Sequence, residues 1–373
     1  MKHKAAIAVT LTLLATPVWA QERNDIEDLR PADQRYPDNI LVEDLPIGPV
    51  PDEFLPKDPE AASSISNEIF GRQADAAYGA YQRGYFLTAL ALALPRAEDG
   101  DAHAQTLIAE IYGKGMGIAQ DKSRAASWYE LASNNGDPLA TFELAMLYQS
   151  GEGVERDRAR AAELFGKAAE AGNIEARYNM GLLHIEGIYA PPNLIKAAEL
   201  ISEAAEAGIT EARYDYAGML IEGAGVPPDP EAAAEQLRLA AEDGMVAAQV
   251  DYATVLYLGR GMPRDRTAAA NWYARAAEAG NPVAQNRYAK LLAVGEGIEA
   301  DPETAAMWRA LSRRNGFNDP QLDALLKDLP ADTLAAAEER ARFWPSAPPS
   351  RVAENRVPPA TDADLPMPGP AAP

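Results

Sequence analysis

Apolar and polar positions recur along most of this chain with a step of 36 residues. Glycine stands at 100, 136, 172, 208, 244, 280 and 316. Alanine keeps the same step at 104, 140, 176, 212, 248 and 284, and again at 125, 161, 197, 233, 269 and 305. A second glycine column runs through 115, 151, 187, 223, 259 and 295. Two residues further on comes glycine at 117, 153, 225, 261 and 297, with Tyr189 as the exception in the third unit. A period of this length marks stacked supersecondary units that bury their apolar faces against one another.

The punctuation of one unit says what it folds into. Between 101 and 136, Ala104, Ile108, Ala109 and Tyr112 fall at helical spacing; Gly113, Gly115 and Gly117 interrupt it; Ala125, Trp128, Tyr129 and Ala132 resume it. This predicts two amphipathic helices joined by a glycine turn. Aspartates at 121, 157, 229, 265 and 301, with Asn193 in the third unit, suit N-caps, whose side-chain oxygen accepts a free backbone N–H. Pro230 and Pro302 follow two of these caps, where a helix loses nothing to proline. Small alanines let the paired helices approach, and the large residues at 128, 164, 200, 272 and 308 fill the space between units. After Gly316, Asp319-Pro320 opens a helix through Lys327, and 331–343 forms another; together they read as the cap a repeat array needs at its end.

These residues resemble the Sel-one-like repeat family, relatives of the tetratricopeptide repeats. The second unit shows the pattern as Ala140, Leu144, Ala145, Tyr148, Gly151, Gly153, Val154, Asp157, Ala161, Leu164, Phe165, Ala168, Ala169 and Gly172, and the fifth carries the aromatic pair Trp272-Tyr273. The resemblance covers 101–316, six units, with a degenerate unit over 63–100 (Gly84-Tyr85 turn, Ala89, Gly100) and capping helices over 317–344. It implies an all-α, right-handed α-solenoid of helix-turn-helix repeats. It also implies an adaptor that binds proteins, exported bacterial members serving envelope signalling, surface polysaccharide control or host contact. Some cysteine-rich exported relatives bind or slowly hydrolyse β-lactams; this chain has no cysteine, so that activity is a distant third reading.

The flanks add location. Lys2 and Lys4, the apolar run from Ala5 to Ala15, and Val18 and Ala20 before Gln21 form the three parts of a signal peptide, cleaved after Ala20. The run is too short to span a bilayer as a helix, which takes roughly 20 apolar residues. Residues 21–62 are acidic and proline-rich, and 345–373 are rich in proline and alanine; neither has helical periodicity, so both are expected to be unstructured. Without cysteine, stability comes from packing. The formal net charge of −22 argues against nucleic acid and against anionic lipid surfaces as partners. The expectation is a periplasmic or secreted protein with no stable membrane insertion.

Candidate chemistry is sparse. The G-x-G sequences follow helices and recur with the unit, so they are turns; a dinucleotide loop follows a strand. Only His103 and His184 remain after the leader, and His184 takes the column of Tyr112 and Tyr148, a packing position. No zinc site, Ser-His-Asp constellation or S-x-x-K motif is expected, hence no metal, no cofactor and no enzyme.

What remains is a groove. In solenoids of the resembled kind the first helix of each pair lines the concave face. One column there holds Leu107, Glu143, Asn179, Asp215, Asp251 and Arg287; its neighbour holds Gln105, Thr141, Arg177, Arg213, Gln249 and Gln285. Glu-Ala-Arg-Tyr recurs at 175–178 and 211–214, beside the irregular third unit with its Tyr189 and Ala190-Pro191-Pro192. The expected partner-binding residues are Arg177, Tyr178, Asn179, Arg213, Tyr214, Asp215 and Asp251. The arginines suit a carboxylate and the aspartates a cation. The expected function is a non-enzymatic scaffold for proteins or peptide segments of the cell envelope, in signalling or surface polysaccharide production. A binder of cell-wall or glycan fragments is the alternative.

Overall fold

The computed structural model describes residues 75–346. The expected signal peptide and acidic leader, the start of the degenerate unit and the tail beyond 346 lie outside the described residues.

Sixteen α-helices, and no strand among the described residues, follow one another as α1 (Ala76–Gln82), α2 (Phe86–Glu98), α3 (Ala102–Lys114), α4 (Lys122–Asn134), α5 (Pro138–Ser150), α6 (Arg158–Glu170), α7 (Ile174–Glu186), α8 (Leu194–Glu206), α9 (Thr210–Glu222), α10 (Pro230–Glu242), α11 (Val246–Leu258), α12 (Arg266–Glu278), α13 (Pro282–Val294), α14 (Pro302–Arg314), α15 (Pro320–Leu326) and α16 (Ala331–Phe343). The chain divides into two units, 1–236 and 237–373, within α10. In the first, each of α1 to α8 packs on its successor in sequence. In the second, α11, α12, α13 and α14 do the same, and α15 and α16 close on α13 and α14. This is the helical-hairpin repeat predicted from the period.

The local chemistry explains the boundaries. Asp121, Asp157, Asn193, Asp265 and Asp301 each accept a hydrogen bond from the backbone N–H three residues on, and Asp229 does the same for Glu231 and Ala232. First helices start less uniformly. Asp101, Asp137, Asn173 and Asn281 cap α3, α5, α7 and α13, whereas Ile209 and Met245 precede α9 and α11 with no side-chain cap.

Two kinds of glycine punctuate the hairpins. Gly208 closes α8 at φ +99, with only the tip of Arg213 near its missing side chain, so the backbone angle alone requires glycine. Gly225 is needed twice over: φ is +76, and a Cβ there would stand 2.0 Å from the carbonyl oxygen of Leu194. The turn thus lies directly on the start of the preceding second helix.

The core follows the repeat columns. Ala197 and Ala233 are fully buried between helices, and Trp128, Leu164, Leu200 and Trp308 are buried where the period placed them. Trp272 differs. It is half-buried, meets Tyr252 edge-on, and carries Arg275 over its face at 4.8 Å. At the C-terminal end Arg309, 4% exposed, donates from Nε and Nη2 to Asp323 at 2.7 and 2.9 Å, pinning α14 to α15. Trp308 meets Trp344 edge-on at 4.8 Å.

The third unit keeps more of the standard turn than its sequence suggests. Gly187 still ends α7 in the left-handed region, and Asn193 N–H still donates to the His184 carbonyl, as Asp121 does to Tyr112. His184 Nδ1 lies 2.8 Å from the Pro191 carbonyl oxygen, and Ala190 is buried. Only the middle of the turn has changed.

Candidate functional site

The neighbouring column, 105 to 285, performs one structural task. Gln105 Nε2 donates to the Ala97 carbonyl at 2.8 Å, Arg177 Nε to Ala169 at 3.4 Å and Arg213 Nε to Ala205 at 3.3 Å. Gln249 and Gln285 donate from Nε2 to Ala241 and Ala277, both at 3.3 Å. Every acceptor lies in the last turn of the preceding helix, where carbonyls lack an intrahelical donor. Thr141 is shorter and meets Ser133 Oγ at 2.8 Å instead. Arg177 also pairs with Glu203 at 2.8 Å. The guanidiniums expected to grip a partner's carboxylate therefore already hold contacts that join one hairpin to the next, and the positive charge of Arg177 and Arg213 suits a helix C-terminus.

The column 107 to 287 has no common task. Leu107 is buried core. Asn179 donates back to the Glu175 carbonyl of its own helix at 2.8 Å. Asp215 accepts from Tyr178 Oη at 2.8 Å, a bond that joins α7 to α9 and so bridges adjacent repeats. Burial raises the Asp215 pKa; the phenol's donation opposes this, and Glu211 adds to it. Burial and the Asp215 charge push the Tyr178 phenol up as well. Tyr214, like Tyr178, is half-buried. Six of the seven expected binding residues thus lie on α7 and α9 in the first unit; Asp251 is half-buried on α11 in the second.

Two features escaped the sequence reading. The first is a polar cluster around Glu143, whose pKa is raised by burial and by Glu110 and Glu175, while Lys114 pulls it down. Lys114 pairs with Glu110, and burial, aided by the Glu143 and Glu110 charges, pushes up the Tyr129 phenol. The second is apolar. Ile188 is 72% exposed, Tyr189 41%, Leu194 48% and Ile195 64%, all within 188–195. Its signal was present in the sequence, because Leu194-Ile195 aligns with Lys122-Ser123, Arg158-Ala159, Pro230-Glu231 and Arg266-Thr267, pairs with no large apolar residue.

Among the described residues no group of three or more His, Asp or Glu is placed to hold a metal ion, and no helix is long and apolar enough to cross a membrane. His103 and His184 lie apart, one near Asp137 and the other over the Pro191 carbonyl.

Comparison with known proteins agrees with this geometry. Sel1 repeats are recognised at 102–137, 138–173, 174–209, 210–245, 246–281 and 282–312, together more than half of the 373 residues. A Sel1 repeat protein from Oxalobacter formigenes has a similar structure at 28% identity and TM-score 0.56, over 66% of this chain and all of that one. The protective antigen c5321, present in uropathogenic Escherichia coli strains and displaying an SLR fold, is similar at 25% identity and TM-score 0.62. That match covers 77% of this chain and 64% of the antigen. No curated protein sequence matches. Proteins built of Sel1 repeats are protein–protein interaction scaffolds. The repeat columns, the hairpin packing and these matches together make this chain a member of the Sel1 repeat family.

Proposed function

We propose that this chain is an exported, non-enzymatic scaffold that holds a protein segment of the cell envelope at the third and fourth repeats. The observation that carries the reading is the apolar surface of Ile188, Tyr189, Leu194 and Ile195. Exposed aliphatic side chains gathered in one place mark a protein contact, whereas a sugar is gripped by flat aromatic faces and amides. The half-buried polar groups of α7 and α9, Tyr178, Asn179, Tyr214 and Asp215, supply the specific part of the contact. Arg177 and Arg213 hold the frame on which these groups stand, and Asp251 continues their column in sequence. Export rests on the charged, apolar and small-residue segments of 1–20, and a mature N-terminus at Gln21, read by mass spectrometry of protein from whole cells, tests it.

Crosslinking pull-down from envelope extract tests the partner. Ile188→Asp with Ile195→Asp should abolish capture of a defined protein, and Asp215→Asn should weaken it, while helical content stays at the parent level. Capture unaffected by either change refutes the site. Binding of cell-wall fragments in place of a protein refutes the protein reading.

A further inference from the structure

The guanidinium of Arg287, on α13 in the second unit, is anchored at one nitrogen and open along its opposite edge. Nη1 donates to Thr254 Oγ1 and, at 3.3 Å, to Tyr273 Oη. Its Cζ stands 5.7 Å from the centre of the Tyr273 ring. Donor and acceptor accounting fixes this arrangement. Thr254 donates its hydroxyl to the Val250 carbonyl at 2.7 Å, so in the 2.9 Å contact with Tyr273 the phenol donates. Both oxygens then offer Arg287 lone pairs only. With Nη1 occupied, the parallel N–H bonds of Nε and Nη2 remain, and they meet no acceptor among the described residues.

That edge is the one a carboxylate fills in two-point contact. Arg309 shows it filled, with Nε and Nη2 on the two oxygens of Asp323. Arg96, Arg124, Arg160, Arg177 and Arg238, half-buried like Arg287, each lie beside an Asp or Glu. Arg287 has no carboxylate within ion-pair distance among the described residues. Its desolvation is compensated by two neutral hydroxyls and a ring face, less than a counter-ion provides.

We propose that Arg287, steadied by Thr254 and Tyr273, receives a carboxylate of a bound protein segment, either a chain terminus or a Glu or Asp side chain. Arg287 supplies one positive charge, and Lys290, one turn on along α13, is already paired with Asp319 at 2.6 Å. On a chain of net charge −22 this favours a monoanion over phosphate. The proposal rests on the scaffold reading only for the ligand being protein.

The test uses the full chain labelled with nitrogen-15, following the Arg287 Nε–H signal, identified by its loss in Arg287→Gln. The probes are N-acetyl-Ala-Ala, its C-terminal amide, a glutamate capped at both ends, and inorganic phosphate. The free-carboxylate probes should shift the signal saturably and the amide should not. Tyr273→Phe should weaken the response about five-fold, the effect of one hydrogen bond. Arg287→Lys, which keeps the charge without the fork and has no Nε–H signal, is read by calorimetry, where it should bind the carboxylate probes several-fold more weakly than the parent. Tighter binding of N-acetyl-Ala-Ala identifies a chain terminus as the source, and tighter binding of the capped glutamate a side chain. An amide as effective as the acid, a response that never saturates, or phosphate binding more tightly than either carboxylate overturns the proposal. No partner is needed, so its failure is separable from failure to capture an envelope protein.

Discussion

The turn of the third repeat, 187–193, and that of the last, 295–301, occupy the same register in different units, and one of the positions where they differ decides how each turn packs. In the last repeat Gly297 sits at φ +77, and a Cβ there would lie 2.3 Å from the Arg266 carbonyl oxygen. In the third, Tyr189 stands in that place, and no residue other than glycine has positive φ among the described residues. A tyrosine has a Cβ and avoids the left-handed region, so this turn cannot lie on its neighbour as the others do. Both turns keep their first glycine and their closing backbone bond, so the hairpin survives. The repeat tolerates loss of the interlocking glycine, and Ile188 and Tyr189 in that turn, with Leu194 and Ile195 just after it, are exposed.

The carboxylates of the two units differ in the same spirit. In the first, burial lifts Asp215 and Glu143. In the second, burial of Asp319 is outweighed by Lys290, Asn286 and the Leu322 N–H, which hold its pKa at about 2, and Arg309 holds Asp323 down. Asp101, held down by Arg96, is the first unit's exception, and it lies away from α7 and α9.

The comparison breaks most readily at the turns. Gly297→Val should cost about 3 kcal/mol or more in urea unfolding, since it adds a backbone clash to a strained φ. Tyr189→Gly should change stability by less than about 1 kcal/mol. Equal costs would show that the two turns do the same work.

Acid sharpens the contrast. The lowered pKa of Asp319 contributes about 2 kcal/mol above its unfolded pKa, lost as pH falls through the folded value near 2. Asp215 has the opposite sign. Its raised pKa means the native state is most favoured below the unfolded value, and that stabilisation is lost as pH rises through the folded one. As pH falls from neutral towards the ordinary carboxylate range, amide protection, corrected for intrinsic exchange, should rise in α9 and stay level in α13 and α15. Below pH 4 the latter should fall. Parallel behaviour in all three helices contradicts the assignment.

Tyr178→Phe should cost about 1 kcal/mol, leaving Asp215 without its donor, and should raise the Asp215 pKa further, read by carboxyl carbon NMR. Smallest of all, Glu199→Gln removes only an exposed contact with Lys196 at 3.1 Å. It should stay within about 0.5 kcal/mol of the parent and leave partner capture unchanged.

The frame was legible because it repeats. Asp157, Ala197, Gly208 and Gly225 declare cap, helix contact, backbone angle and close approach by recurring every 36 residues, and each need is local or involves the adjoining hairpin. The division of labour between the two polar columns was not legible. Periodicity showed that Arg213 and Asp215 share a helix. It did not show that Arg213 reaches back eight residues to the Ala205 carbonyl while Asp215 accepts from Tyr178, a full repeat earlier. Nor did it show that Arg287 is held by hydroxyls from α11 and α12.

By itself, then, the sequence determined the repeat, its helices and their caps, because backbone requirements and apolar spacing are read within one unit. Which polar groups serve the frame and which stay open was decided only by tertiary structure. That choice depends on distances between side chains of different helices, and a few tenths of an ångström there separate a hydrogen bond from an open donor.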